Sequence, residues 1–500
     1  MLVFLCNLIV PRTTRTQINS MDFHMSLLCV RVFFVLGGEI VREKAVYKLS
    51  KSNKYNSALL YQHDIVLLEQ LAIHRLMRAR DVINLLECAR ELEGVPAPTK
   101  NAISKRLRRL VAAGILVLEQ DDAMILQGMR FNSYFYRLGL RGYRALKEFT
   151  NDNTLNPESA YAAAQKLSIP KLHNQAASTL ANEIYMHFLK LQYEGKITEV
   201  PLVLRGGTHE AFKDHRNEKY RVPVQPDYVI DFKGTLIAIE MDTGNQRGTA
   251  NADKVKQYSK WLNNHSKANY KKLIILFAVM DESVAPLVVK DRTRRVVTLR
   301  DRTGIQYVDW MNDSRMGVYC ALSIFAKELI GNWIQGISMA NSSERSFFVS
   351  QWFGYLAGCV KPETMFLETV TNEAYKPISR NWDRQWEADE YMYLKEKEKK
   401  ARHFLILYVD SGSSVEYKRI IANIERVKLI NDSDLTNLTA SLLLVYSSEI
   451  ERQLDCVGQL KQLDVPVYST SSELFHEMYQ KEAQVEQILE LPLHLLSKQS

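Results

Sequence analysis

Three carboxylates, Asp227, Glu240 and Asp242, fall within one short stretch whose other residues call for a β-hairpin. Tyr228 to Ile230 and Leu236 to Ile239 are apolar runs of strand length, and Lys233-Gly234 between them supplies a turn that tolerates positive φ. With a two-residue turn, Phe232 pairs with Thr235, and the register then sets Asp227 across from Glu240. Asp242 shares the face of Glu240 by the two-residue period. Like charges facing across a ladder cost roughly 0.2–1 kcal/mol, so the arrangement is costly unless a cation offsets it. Hard divalent ions take oxygen ligands of this kind, so the cofactor of such a site would be Mg²⁺ or Mn²⁺, and otherwise none is expected. The plain alternative is that Asp227 opens a strand and the acidic pair faces water.

The flanking segments say what would hold such a site. Leu172 to Tyr193 carries Ala176, Leu180, Ile184, Phe188 and Leu191 at helical spacing, with Glu183 among its polar positions as a further candidate ligand. After the hairpin come a helix over Ala252 to Asn263, a buried strand over Leu273 to Met280, and a further strand at Val296 to Leu299. Helix, hairpin, helix, strand is the order of a restriction-endonuclease-like core of the PD-(D/E)xK type. Such a site needs two acidic metal ligands and a lysine that orients water or stabilises developing charge. Asp227 and Glu240 fit the acids, but Asp242 stands where the lysine belongs. A replacement would come from the next helix, from Lys254 or, alternatively, Lys256. Because the lysine is displaced, the reading leans toward a nuclease fold kept for binding, with Asp242 tied to the Thr243-Gly244 turn.

Upstream, from His63, two helical patterns are followed by Pro96-Ala97-Pro98-Thr99, and Thr99 is an N-cap for a third. Ile103, Leu107, Leu110 and Val111 form the core face of this third helix, which Gly114 ends. Ile115 to Glu119 and Ser133 to Leu138 read as strands around a hairpin tip. Three helices and a hairpin make a winged helix-turn-helix, whose last helix enters the major groove of DNA. Lys100, Asn101, Ser104 and Lys105 lie early on that helix, where base edges are read. Arg108 and Arg109 suit phosphates, and Arg130 and Asn132 would reach DNA from the wing. The alternative for this basic face is plain solvation.

Taken together, the winged helix, Leu172-His173, Pro226-Asp227, Glu240-Met241-Asp242-Thr243-Gly244 and Lys254 with Tyr258 resemble the MobC-type replication-relaxation proteins of Gram-positive plasmids and conjugative elements. The resemblance spans roughly residues 57 to 300. It implies a DNA-binding accessory role in plasmid replication, DNA relaxation and conjugative mobilisation, on a plasmid or transfer origin, beside a relaxase or replication proteins. It does not establish that the chain cuts DNA. Two alternatives stand beside it: a Mg²⁺- or Mn²⁺-dependent DNA endonuclease, and a winged-helix transcriptional regulator of a mobile element.

Composition sets the frame. The chain has 500 residues, 46% hydrophobic, with a net charge of +8, enough for about two to four domains and mildly biased toward a polyanionic partner. Its six scattered cysteines contain no CxxC pair, which argues against a zinc knuckle or disulfide framework and for a reducing, cytoplasmic setting. HxH, HExxH and Walker A motifs are absent from the sequence. The apolar runs Leu2 to Val10 and Ser26 to Leu36 are too short to span a bilayer, so no membrane partner is expected. Residues 1–56 read as an N-terminal extension, for which a start at Met21 or Met25 is an alternative to any function of its own.

Lys290-Asp291-Arg292-Thr293-Arg294-Arg295, with Arg300 and Arg302, forms the densest basic cluster and would track phosphates toward the carboxylates or else simply be solvated. Asp383 to Arg402 reads as a charged helix leading into a small α/β domain. In that domain Asp410-Ser411-Gly412-Ser413-Ser414 follows the first strand, the position where ligands or partner proteins dock. The expected organisation is α+β and α/β multidomain: winged helix over 57–150, linker over 151–171, endonuclease-like core over 172–330, helical connector over 331–402 and a C-terminal α/β domain over 403–500.

Overall fold

The computed structural model describes residues 46–94, 99–121, 134–151, 153–169, 171–212, 224–244, 248–264, 270–285, 292–307, 315–337, 346, 365–369, 387–396, 401–432, 438–455, 465–474 and 494–495. These residues form a mixed α/β, multidomain chain. None of the described helices is long and apolar enough to cross a membrane.

The N-terminal unit opens with a small ladder of β1 (Tyr47–Leu49) and β2 (Ala58–Leu60), followed by α1 (Gln62–His74), β3 (Met77–Arg78), α2 (Ala79–Leu92) and α3 (Lys100–Ala112). Thr99 accepts the Ala102 N–H at 3.3 Å and so caps α3. Gly114, at φ +70°, turns the chain out of α3 into β4 (Leu116–Gln120). The chain returns as β5 (Tyr134–Leu138), which lies between β3 and β4 in an antiparallel sheet. Helices α4 (Leu140–Thr150) and α5 (Pro157–Gln165) pack onto the same core through Tyr143, Leu146, Ala160 and Ala164. The stretch expected to be a linker is therefore partly structural.

The middle unit is a five-stranded sheet whose strands lie in the order Met316–Leu322, Lys272–Val279, Thr235–Asp242, Tyr228–Phe232, Leu202–Arg205. Its elements are α6 (Leu172–Tyr193), β6 (Leu202–Arg205), β7 (Tyr228–Phe232), β8 (Thr235–Asp242), α7 (Gly248–Asn264), β9 (Lys272–Val279), α8 (Thr293–Tyr307), β10 (Met316–Leu322) and α9 (Ser323–Gln335). Strands β6, β7 and β8 form an antiparallel meander, and β9 and β10 continue it in parallel. Alternate residues divide between two cores, as the strand period requires. Ile230, Ile237, Ile239 and Ile274 meet α6 and α9 on one face, while Val229, Leu236, Ala238 and Ile275 meet α7 and α8 on the other. Val296 to Leu299 lies within α8 and is not the expected strand. Val296 and Leu299 are buried at helical spacing, with Arg294 and Arg302 exposed on the far side.

Beyond the middle unit, a second mixed sheet runs β11 (Met365–Thr369), β12 (Glu390–Glu396), β13 (Ala401–Tyr408), β14 (Leu438–Tyr446), β15 (Val467–Ser471), β16 (His494–Leu495). Helices α10 (Ser414–Asn431) and α11 (Glu449–Leu454) accompany it. The expected charged helix is instead strand β12, antiparallel to β13, so the region read as a helical connector contributes β11 and β12 to the sheet. Tyr391 and Met392 are buried there, and that burial outweighs the helix preference of the neighbouring lysines and glutamates. The Asp410–Ser414 loop is used inside the chain. Gly412 accepts the Cys320 N–H at 2.9 Å and Ser413 bridges Tyr319, so the loop covers the open edge of β10. Arg300, fully buried, reaches Asp455 at 2.5 Å and the Cys320 carbonyl at 3.0 Å, which fastens the two sheets together.

Candidate functional site

The β7–β8 hairpin turns at Lys233 (φ +49°) and Gly234 (φ +82°). Two successive positive φ values give the primed turn whose twist matches that of the strands. Phe232 pairs with Thr235 and Tyr228 with Ile239, so Asp227 and Glu240 stand at the open end of the ladder. Asp227 does not simply face its neighbour. Its N–H donates to the Ile239 carbonyl at 3.0 Å, and its Oδ2 accepts the Met241 N–H at 2.8 Å. Its Oδ1 lies 2.9 Å from His173 Nε2, in the first turn of α6. This bond to Asp227 raises the His173 pKa, against partial burial that lowers it.

Glu240 lies on the sheet face covered by α7 and is nearly fully buried. Lys254 Nζ donates to Oε2 at 2.6 Å and the Tyr258 hydroxyl to Oε1 at 2.8 Å. The two donors are four residues apart on α7 and so point the same way. Burial raises the Glu240 pKa, Lys254 pulls it down, and the Asp227 charge pushes it up again. Lys256, about 200° around the helix from Lys254, is exposed.

The structure does not gather all four expected carboxylates. Asp242 is buried and committed elsewhere: Arg295 of α8 reaches its two oxygens at 2.6 and 3.2 Å, and the Gly244 N–H donates to it at 2.9 Å. Glu183 lies ten residues beyond His173, about 15 Å along the helix. There its carboxyl pKa is raised by burial and responds to Lys327, Asp81, Arg80 and Asp281. Among the described residues no group of three or more His, Cys, Asp or Glu side chains is arranged to hold a metal ion. What remains is a two-carboxylate centre, Asp227 and Glu240, framed by His173, Lys254 and Tyr258. The side-chain roles of His173 and Tyr258 were missed from sequence, although the four-residue spacing of Lys254 and Tyr258 was a usable signal.

On α3, Lys100, Asn101, Lys105, Arg108 and Arg109 are exposed and Ser104 is half-buried. The helix carries five basic residues, counting Arg106, and no acidic one. Arg106 is turned inward, to both oxygens of the buried Asp64 and to the Leu59 carbonyl. Arg130 and Asn132 lie outside the described residues, as do Lys290 and Asp291. Of the remaining basic cluster, Arg294 and Arg302 are exposed, while Arg295 and Arg300 are held in ion pairs.

Comparison with protein families, curated proteins and solved structures gives no significant match.

Proposed function

We propose that this chain binds double-stranded DNA through α3 and acts on a DNA phosphodiester at the Asp227–Glu240 centre. Two topologies support the reading. The N-terminal order α1, β3, α2, α3, β4, β5 is that of a winged helix-turn-helix, with the basic side of α3 presented to solvent. In the middle unit, the order α6, β6, β7, β8, α7, β9 is that of a restriction-endonuclease-like core. An acid lies at the head of its second strand and another on its third.

The observation that carries the reading is the ion pair of Lys254 with Glu240. With Asp242 at the usual lysine position, a cation is still delivered to the acidic pair, from the following helix. Asp227 and Glu240 would hold Mg²⁺ or Mn²⁺, and two carboxylates suit Mg²⁺, which keeps several of its waters. The bound ion would supply Lewis acidity and a more acidic water. His173 and the Met241 N–H fix the Asp227 carboxylate, and Lys254 brings positive charge to where a phosphoryl oxygen would gain negative charge.

One observation favours a second reading, in which the core is a non-cleaving scaffold in an accessory protein of plasmid replication, relaxation or mobilisation. Both Glu240 oxygens are already hydrogen-bonded. A regulator of a mobile element would need the winged helix alone. The deciding experiment incubates the purified chain with supercoiled plasmid, with and without Mg²⁺ or Mn²⁺. Metal-dependent nicking that is lost in Asp227→Asn and Glu240→Gln supports the nuclease reading. DNA binding without nicking leaves the scaffold reading.

A further inference from the structure

Between the N-terminal unit and β6 lies a cavity that opens in part to solvent. Its walls are aliphatic, with Ile73, Leu155, Ala160 and Leu204 among them, and its polar groups are Arg75, Tyr143 and Thr208. Thr208 is committed, donating to the Arg205 carbonyl at 2.7 Å. Arg75 and Tyr143 are not. Among the described residues neither side chain has a hydrogen bond or a carboxylate partner. The chain nonetheless holds Arg75 there in a left-handed conformation, φ +65°, that favours glycine.

A second guanidinium, that of Arg205, is close enough to act with burial in lowering the Arg75 pKa. Two arginines partly removed from water, one of them lining an apolar cavity without an acid, leave positive charge that an anion would offset. The site does not suit a multiply charged anion. Arg75 caps the C-terminal end of α1, where helix carbonyls repel negative charge. A single negative charge on an aliphatic body fits both the walls and the donors.

We propose that this cavity is a binding site for an aliphatic carboxylate, with the carboxylate on Arg75 and the Tyr143 hydroxyl and the chain along Ile73, Leu155 and Leu204. The site draws on both units, so its ligand bridges them, and it is independent of the DNA reading. Between Ile73 and Arg75 in sequence stands the buried His74, whose Nδ1 lies 2.7 Å from the hydroxyl of Tyr228, the residue after Asp227.

Calorimetry on the full chain tests this with octanoate, octanol and inorganic phosphate as probes. Octanoate should bind at one saturable site, at least tenfold tighter than octanol or phosphate. Arg75→Gln should weaken octanoate tenfold or more, since the loss of a charged hydrogen bond is worth about that factor. Ala163→Phe, at an exposed position on the rim, should block octanoate without changing the far-ultraviolet circular dichroism. Absence of saturable octanoate binding, equal affinity for octanol or phosphate, or unchanged affinity in Arg75→Gln overturns the proposal. If Arg75→Gln does not fold, Ala163→Phe decides, and octanoate affinity retained there overturns it.

Discussion

Lys254 Nζ lies 2.6 Å from Glu240 Oε2, a contact between residues fourteen apart in sequence that joins helix α7 to strand β8. A buried carboxylate without a cation is costly, and here the cation comes from the one face of α7 that also presents Tyr258. The same contact brings a positive charge within electrostatic reach of His173, which with the Met241 N–H holds the Asp227 carboxylate. Asp242, in contrast, pairs with Arg295 and contributes no free charge.

Nicking of supercoiled plasmid should therefore separate two neighbouring lysines. Lys254→Ala removes the charge beside Glu240, and its metal-dependent rate should fall by about 10²–10³, the usual cost of one transition-state donor. Lys256→Ala should leave the rate unchanged. Equal rates in wild type and Lys254→Ala would reject the lysine's role.

Stability should fall with rising pH because of Glu69, a residue outside the candidate site. Its Oε1 is buried without a hydrogen-bond partner among the described residues, and burial lifts its pKa to about 7. The folded chain thus holds a proton that the unfolded chain releases from about pH 4.5 upward. The associated stability is complete below the unfolded pKa and is lost as pH rises through 7, by an amount on the order of 3 kcal/mol. Glu69→Gln, which cannot ionise, should raise the urea midpoint at pH 8 and leave it nearly unchanged at pH 4. A variant with the wild-type pH dependence would show that Glu69 is not the source.

Sequence patterns revealed most of what local physics decides. The Lys233-Gly234 turn set the hairpin register, and the core face of α3 followed from Ile103, Leu107 and Leu110. What they missed was set by distant partners. Val296 and Val297 are β-branched and were read as strand, yet they fold as helix because Val296 and Leu299 bury against the sheet. Tyr391 and Met392 sit beside a lysine-glutamate run that favours helix, but pairing with β13 makes them strand. The ends of the candidate site behaved likewise. Nothing local says that Arg295 will reach Asp242, or that His173 rather than Glu183 will reach Asp227.

Asp242 is expected to matter for folding more than for metal. Asp242→Asn leaves Arg295 facing a neutral amide in a largely buried site, a loss on the order of 3 kcal/mol. Adding Arg295→Met, which removes the charge that Asp242 pairs, should recover part of that loss. Mn²⁺ affinity by calorimetry should survive in Asp242→Asn and vanish in Asp227→Asn. Loss of the Mn²⁺ site in folded Asp242→Asn would place Asp242 among the ligands.

DNA binding offers a test in which three basic positions within one turn of α3 give two different results. Lys105 and Arg108 are exposed, whereas Arg106 between them is spent on Asp64. Lys105→Ala and Arg108→Ala should weaken binding to duplex DNA while leaving the thermal midpoint within a degree or so of wild type. A residue that contacts phosphate should also reduce the slope of log K against log salt by about 0.9. Arg106→Ala should do the opposite. It uncovers a buried carboxylate and frees the Leu59 carbonyl, so the unfolding midpoint should drop by several degrees, while the salt slope measured on the remaining folded protein should not move. Anisotropy titrations at several salt concentrations, read beside thermal melts, distinguish these patterns. If Lys105→Ala and Arg108→Ala change neither affinity nor slope, the basic face of α3 is a solvated surface and DNA must be bound elsewhere.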